Sequence, residues 1–170
     1  MASLSEVSRE LLGVAAIAVR RSRARLHIGP NTLGSTCVML DETGRVLLVK
    51  TRYHRSWTSP GGYANPGEDP TDAVLRELRE EIGLVIGRSP AHHSRSVRRG
   101  GHEEHVYRLD LDHDETEMLR PTSWEIAQLG WFGPNDVPAF HPITRARLIG
   151  ASGVLRADGA RWRWADAPPH

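Results

Sequence analysis

The 170 residues contain one cysteine, one lysine and two phenylalanines. A single Cys37 excludes an intramolecular disulfide and any paired-cysteine zinc motif, so a reducing cytoplasm is the simplest compartment. It lies in an expected strand and reads as a buried apolar side chain in preference to a catalytic thiol. A formal net charge of +1 leaves no global field for gripping nucleic acid, so no DNA partner is expected. Aromatic residues make up 6% of the chain, few for stacking along an RNA strand. No apolar run approaches the ~20 residues needed to cross a bilayer, so no transmembrane segment is expected. The stretch at residues 11–19 is followed by its arginines (Arg20, Arg21, Arg23, Arg25), the wrong order for a secretory signal.

What remains is ordinary for a globular protein: 39% hydrophobic and 25% charged residues, enough chain for one domain with a real core. Residues 1–30 read as an N-terminal helical extension, with a helix over about residues 4–25. That helix docks on the domain or a partner, or its basic end rests on a membrane surface. Residues 31–152 form the main domain, and 153–170 are a tail, either an added strand or disordered. β-rich runs at 35–40 and 45–51 flank Asp41-Glu42-Thr43-Gly44 and predict a hairpin. A second hairpin is expected from 94–98 and 104–111, with His105, Tyr107, Leu109 and Leu111 on one face. Residues 84–86 read as the start of a strand, 110–122 as an acidic loop, 130–132 as a short strand and 143–149 as a helix after Pro142. Strands interspersed with a few helices argue an α+β class.

The most informative segment is residues 60–84. Pro60-Gly61-Gly62 is a turn that lets backbone approach a ligand, because glycine has no Cβ. Asp69 then Pro70 is a helix start, and Gly83 is a stop, so the spacing predicts a helix over 70–82. At about 100° per residue, Leu75, Leu78 and Ile82 share a buried stripe, with Val74 at its flank. Glu77, Glu80 and Glu81 form a second stripe at i, i+3 and i+4. Like charges at that spacing repel, which a bound cation would relieve. An all-oxygen donor set points to Mg²⁺ or Mn²⁺ and away from structural zinc. The plainer alternative is a solvated acidic face paired with Arg76 and Arg79.

The spacing is a glycine, five residues, a glutamate, seven residues, then Arg-Glu-apolar-X-Glu-Glu-X-Gly-apolar. Gly62, Glu68, Arg76, Glu77, Leu78, Glu80, Glu81, Gly83 and Leu84 fill it, and the chain resembles the Nudix hydrolases over about residues 33–149. The resemblance implies an α/β/α sandwich around a mixed β-sheet, with the box as loop-helix-loop. It implies a Mg²⁺- or Mn²⁺-dependent pyrophosphohydrolase acting on a small nucleoside diphosphate linked to a group X. Glu77, Glu80 and Glu81 are then the metal ligands, with the Gly61 carbonyl a further one. Arg76 orients the glutamates. The general base is Glu77 or Glu125. Glu68 is a metal, water or substrate ligand, or a loop ion pair. Arg52 is placed to meet phosphate, within a basic group of Lys50, Arg52, His54 and Arg55. Trp57 stacks on a base or packs beside the turn. Of Trp131 and Phe132, alternation sends one to the core. A second basic group, His92, His93, Arg95, Arg98, Arg99, His102 and His105, reads mainly as surface. Ser59 departs from the apolar residue many relatives carry before Pro-Gly-Gly. A homodimer is compatible with the resemblance. The alternatives are a catalytically weak nucleotide sensor and an RNA 5′-end pyrophosphohydrolase.

Overall fold

A hairpin begins as expected and then opens, and the opening builds the site. In the computed structural model, which describes residues 32–52, 55–97, 101–150 and 153–165, strands β1 (Leu33–Leu40) and β2 (Val46–Thr51) are joined by a turn at Asp41. The Asp41 carboxylate accepts from the Thr43 and Arg45 amides. Gly44 supplies the positive φ of 76° that the turn requires. The two strands pair at Leu40 and Val46, then diverge. Strand β3 (Trp57–Thr58) takes the freed edge of β2, and β4 (Gly61–Tyr63) takes the freed edge of β1. The glycine turn is thereby laid against a central strand, with Gly61 opposite Thr36 and Gly62 opposite Ser35.

The chain continues with α1 (Pro70–Ile82), β5 (Ala91–Val97), β6 (Glu103–Asp110), α2 (His113–Met118), β7 (Ile126–Phe132), α3 (Pro142–Ile149), β8 (Leu155–Asp158) and β9 (Arg161–Trp164). Among the described residues, the main sheet has seven strands in the order β3-β2-β1-β6-β5, with β4 on β1 and β7 on β2. It is mixed: β1 and β6 run parallel, and the other pairs are antiparallel.

Period-2 alternation divides the core between the two sheet faces. Cys37, Met39, Leu47, Val49, Tyr107 and Leu109 point to one face and pack on Val74, Leu78 and Ile82 of α1. Val38, Leu40, Val46, Leu48 and Val106 point to the other and pack on Leu148 of α3 and on Val154, Leu155 and Trp162. Helices therefore cover both faces of a mixed sheet, the expected α/β/α layering of an α+β chain. Trp131 and Phe132 divide likewise, one to each core. Burial pushes the Cys37 thiol well above its ordinary range, which removes it from chemistry.

Several expectations need correction. Residues 84–86 are not a strand; Leu84 drops into the first core as the chain leaves α1. The acidic 110–122 segment contains α2, started by a capping box between Asp112 and Glu115. Strand β5 starts at Ala91 and β7 at Ile126, both earlier than expected. Of the two alternatives for the tail, residues 161–164 take the strand: they are β9, paired with β8, and Trp162 donates from Nε1 to the Phe132 carbonyl at 3.0 Å. The N-terminal helix expectation, His54 and Arg98–Arg99 lie outside the described residues. Among the described residues, no helix is long and apolar enough to cross a membrane.

Candidate active site

Helix α1 has the caps its sequence calls for. The Asp69 side chain accepts from the Thr71 amide, Pro70 opens the first turn, and Gly83 closes the helix at φ 73°. Its buried face keeps Val74, Leu78 and Ile82, as expected, and differs at Leu75 and at two glutamates. Leu75 is half-buried, while Ala73, Val74, Glu77, Leu78, Glu81 and Ile82 are buried. The helix is rolled so that two of its glutamates share the sheet-facing side with the aliphatic stripe. Glu77 is 4% exposed and Glu81 7%. Glu80 remains at the edge, its side chain 39% exposed.

Both buried carboxylates meet the glycine strand. The Gly61 amide donates to Glu81 Oε2 at 3.0 Å. Gly62 faces Glu77 so closely that a Cβ there would stand 2.6 Å from its carboxyl carbon. The missing side chain is thus the space the carboxylate occupies. Arg76 organises the other side. Its Nη1 donates to Glu77 at 2.7 Å, its Nε and Nη2 bracket Glu68 at 2.8 and 3.0 Å, and Nη2 also reaches the Tyr63 carbonyl at 3.0 Å. Glu80 Oε2 lies 3.7 Å from Arg76 Nη1. One guanidinium therefore ties loop, strand and helix together through the bidentate geometry arginine favours. Glu68 is engaged by this pair and by the Asn65 amide.

The hydrogen bonds from Arg76 hold the Glu68 carboxyl below its ordinary range. A lowered folded value means that the pair stabilises the fold above the ordinary glutamate range and that this contribution is lost as pH falls through the lowered value. We expect Glu68→Gln to be less stable than the wild type at neutral pH. The gap should close on acidification, as urea unfolding over a pH series would register. A gap that stays constant into strong acid would rule out the charge pair as its source.

The loop after α2 wraps the C-terminal end of α1. Arg120 and Thr122 amides donate to the carbonyls of Ile82 and Glu81, and Thr122 Oγ1 donates to that of Glu80 at 2.8 Å. This loop carries Trp124 and Glu125 beside Arg52. The Arg52 amide donates to the Glu125 carbonyl at 2.9 Å, and Arg52 Nε to that of Trp124 at 2.7 Å. Arg52, Glu125 and the glutamate helix are thus joined by backbone contacts. Trp57 is elsewhere. It packs edge-on to Phe132 at 4.9 Å, with Lys50 over its ring, as part of the second core. Ser59 is buried with its hydroxyl unpartnered.

Among the described residues of the second basic group, Arg95 and His105 share one carboxylate. Glu103 pairs with Arg95 and with His105 Nε2 at 2.6 Å, and these partners, Arg95 foremost, hold its carboxyl at about 2. His92 Nε2 meets His105 Nδ1 at 3.1 Å. His93, expected at the surface, is 5% exposed with neither ring nitrogen hydrogen-bonded. Burial holds it below the ordinary histidine range. The register shift between His92 and Ser94 lies at this position.

Among the described residues, no three acidic, histidine or cysteine side chains are gathered tightly enough to cage an ion unaided. The donors that are present still fit a hard divalent cation. They are carboxylates, two of them turned inward against a glycine backbone that leaves them room, the pattern of a site whose remaining ligands are waters and substrate phosphates.

A family model described as NUDIX domain matches residues 30–149, and the chain belongs to that family. It is a Nudix hydrolase, acting on phosphoric anhydride bonds. It is 30% identical over 118 residues to the "Putative 8-oxo-dGTP diphosphatase" of Bacillus subtilis (strain 168), covering 69% of this chain and 77% of that one. It is 41% identical over 73 residues to the isopentenyl-diphosphate Delta-isomerase of Mycolicibacterium vanbaalenii, covering 38% of this chain and 40% of the relative. The crystal structure of a MutT NUDIX hydrolase from Burkholderia pseudomallei superposes with a TM-score of 0.59 at 24% identity, over 71% of this chain and 98% of the other. That likeness concerns the fold.

Proposed function

We propose that this Nudix hydrolase is a Mg²⁺- or Mn²⁺-dependent pyrophosphohydrolase that cleaves the diphosphate of a small nucleoside diphosphate-X compound. The observation that carries the reading is the inward roll of α1, which sets Glu77 and Glu81 against Gly61 and Gly62 with Arg76 locked behind them. Buried carboxylates are costly unless something positive meets them. Nudix hydrolases generally use divalent metal ions, and Glu77, Glu80, Glu81 and the Gly61 carbonyl are the groups that would hold one here. Such an ion, when bound, neutralises phosphate oxygens and lowers the pKa of water.

The chain's own residues supply the rest. Arg76 fixes Glu77 and the 64–68 loop so that the acidic groups need not reorganise when substrate arrives. Arg52, at the end of β2, offers a guanidinium to the substrate's phosphates. Glu77 is held in a fixed ion pair, which suits a ligand. Glu125, on the loop strapped to the end of α1, is the group we assign to take the proton from the attacking water. The name of the Bacillus subtilis relative supports a nucleoside triphosphate as X-bearing substrate.

The test is a panel of nucleoside triphosphates, ADP-ribose, nucleotide sugars and 5′-triphosphorylated RNA. Each is incubated with Mg²⁺, with Mn²⁺ and with chelator. We expect metal-dependent release of a nucleoside monophosphate from small members of the panel. Saturable binding without release from any member would replace the enzyme by a sensor. Release from RNA alone would move the substrate to RNA 5′ ends.

A further inference from the structure

Trp124 is a tryptophan left largely in the open. It is 47% exposed, whereas Trp57, Trp131, Trp162 and Trp164 are buried or packed against a core. Its place is fixed from both sides. The Arg52 guanidinium lies over its ring, 5.5 Å from the centroid, and Arg52 Nε holds its carbonyl at 2.7 Å. Two residues earlier, Thr122 is bonded to the carbonyls of Glu80 and Glu81. At 3.8 Å per Cα step, Trp124 therefore starts within about 8 Å of the residue that grips the end of the glutamate helix. The next residue is Glu125. An indole held by Arg52 on the loop that grips the end of the glutamate helix, with a cation on one side and solvent access retained, has the form of a stacking surface.

We propose that Trp124 stacks the nucleobase of the substrate while the diphosphate lies over the glutamates, with Arg52 setting the plane of the ring. This rests on the function proposed above and deepens it. A π-platform accepts any base, because every base has a π-face. It gives little choice between purines, but it favours a nucleoside over an aliphatic group X. Arg52 thus serves two ends: it positions the indole and presents charge to the phosphates.

The experiment uses the full chain with Mg²⁺ and reads dissociation constants by calorimetry for two probes, GDP and inorganic pyrophosphate. In W124A, GDP binding should weaken about tenfold or more. Pyrophosphate binding should stay as in the wild type. W124F, which keeps a ring, should recover most of the GDP affinity. Unchanged GDP binding in W124A overturns the proposal. An equal loss for both probes overturns it too, since Trp124 would then be supporting the loop. A wild type that binds pyrophosphate but not GDP removes the stacking role while leaving the diphosphate site. A wild type that binds neither removes the proposed function as well.

Discussion

Glu81→Gln is expected to lower turnover about a thousandfold while leaving the chain folded. The substitution is nearly isosteric. Its amide oxygen can still accept from the Gly61 N–H, which now meets Glu81 Oε2 at 3.0 Å. Glu81 is 7% exposed, and the amide keeps its shape and volume, so the packing around it is retained. What disappears is the negative charge offered to a cation. Glu80→Gln should fall in the same direction. Its side chain is 39% exposed and 3.7 Å from Arg76, so its removal perturbs packing even less. Turnover measured with saturating Mg²⁺, beside urea unfolding of each variant, separates the two effects. Full activity in both variants would withdraw the metal-ligand roles. A collapse in stability in step with activity would instead make Glu81 a structural acid.

The features legible in the sequence were those set by neighbours in the chain. Asp69, Pro70 and Gly83 are local cap signals, and the helix ends where they put it. The turn at Asp41 and the alternation along β6 are similarly local. The roll of α1 is not. Hydropathy puts Leu75 inside and the glutamates outside. Leu75 is instead only half-buried and Glu77 is buried, which depends on Gly61 and Gly62 lying under the helix, a contact set by the splaying of β1 from β2. Trp57 and Trp124 were indistinguishable by composition. Their fates follow from which face of the sheet, or which loop, each reaches. Helix α2 has capping-box spacing at Asp112 and Glu115, but its acidic composition carries no apolar period to mark it as a helix. The tail hairpin depended on a long-range partner, the Phe132 carbonyl, that no local signal names.

Two adjacent glycines should fail in different ways when changed to alanine. At Gly61 the backbone has φ 141°, and a Cβ would stand 2.3 Å from the Ser35 oxygen and 2.7 Å from the Thr36 Cα. Those are backbone atoms of a central strand and cannot step aside. Gly61→Ala should therefore cost about 3 kcal/mol or more of stability, from strain plus loss of β1–β4 pairing. Gly62 has no such backbone conflict. Its Cβ would meet the Glu77 carboxylate, 2.6 Å from the carboxyl carbon and Oε1, and that group is the far end of a flexible side chain. Gly62→Ala should leave a folded protein, because Glu77 can swing. In swinging it leaves Arg76 and the position from which it meets the substrate. A displacement of that order is worth about a hundredfold in rate. Denaturant midpoints and turnover, measured on both variants, should thus cross: Gly61→Ala poor in the first, Gly62→Ala poor chiefly in the second. A Gly62→Ala enzyme with full turnover would mean that Glu77 acts from somewhere other than beneath this strand, and the inward roll of the helix would then have only a packing role.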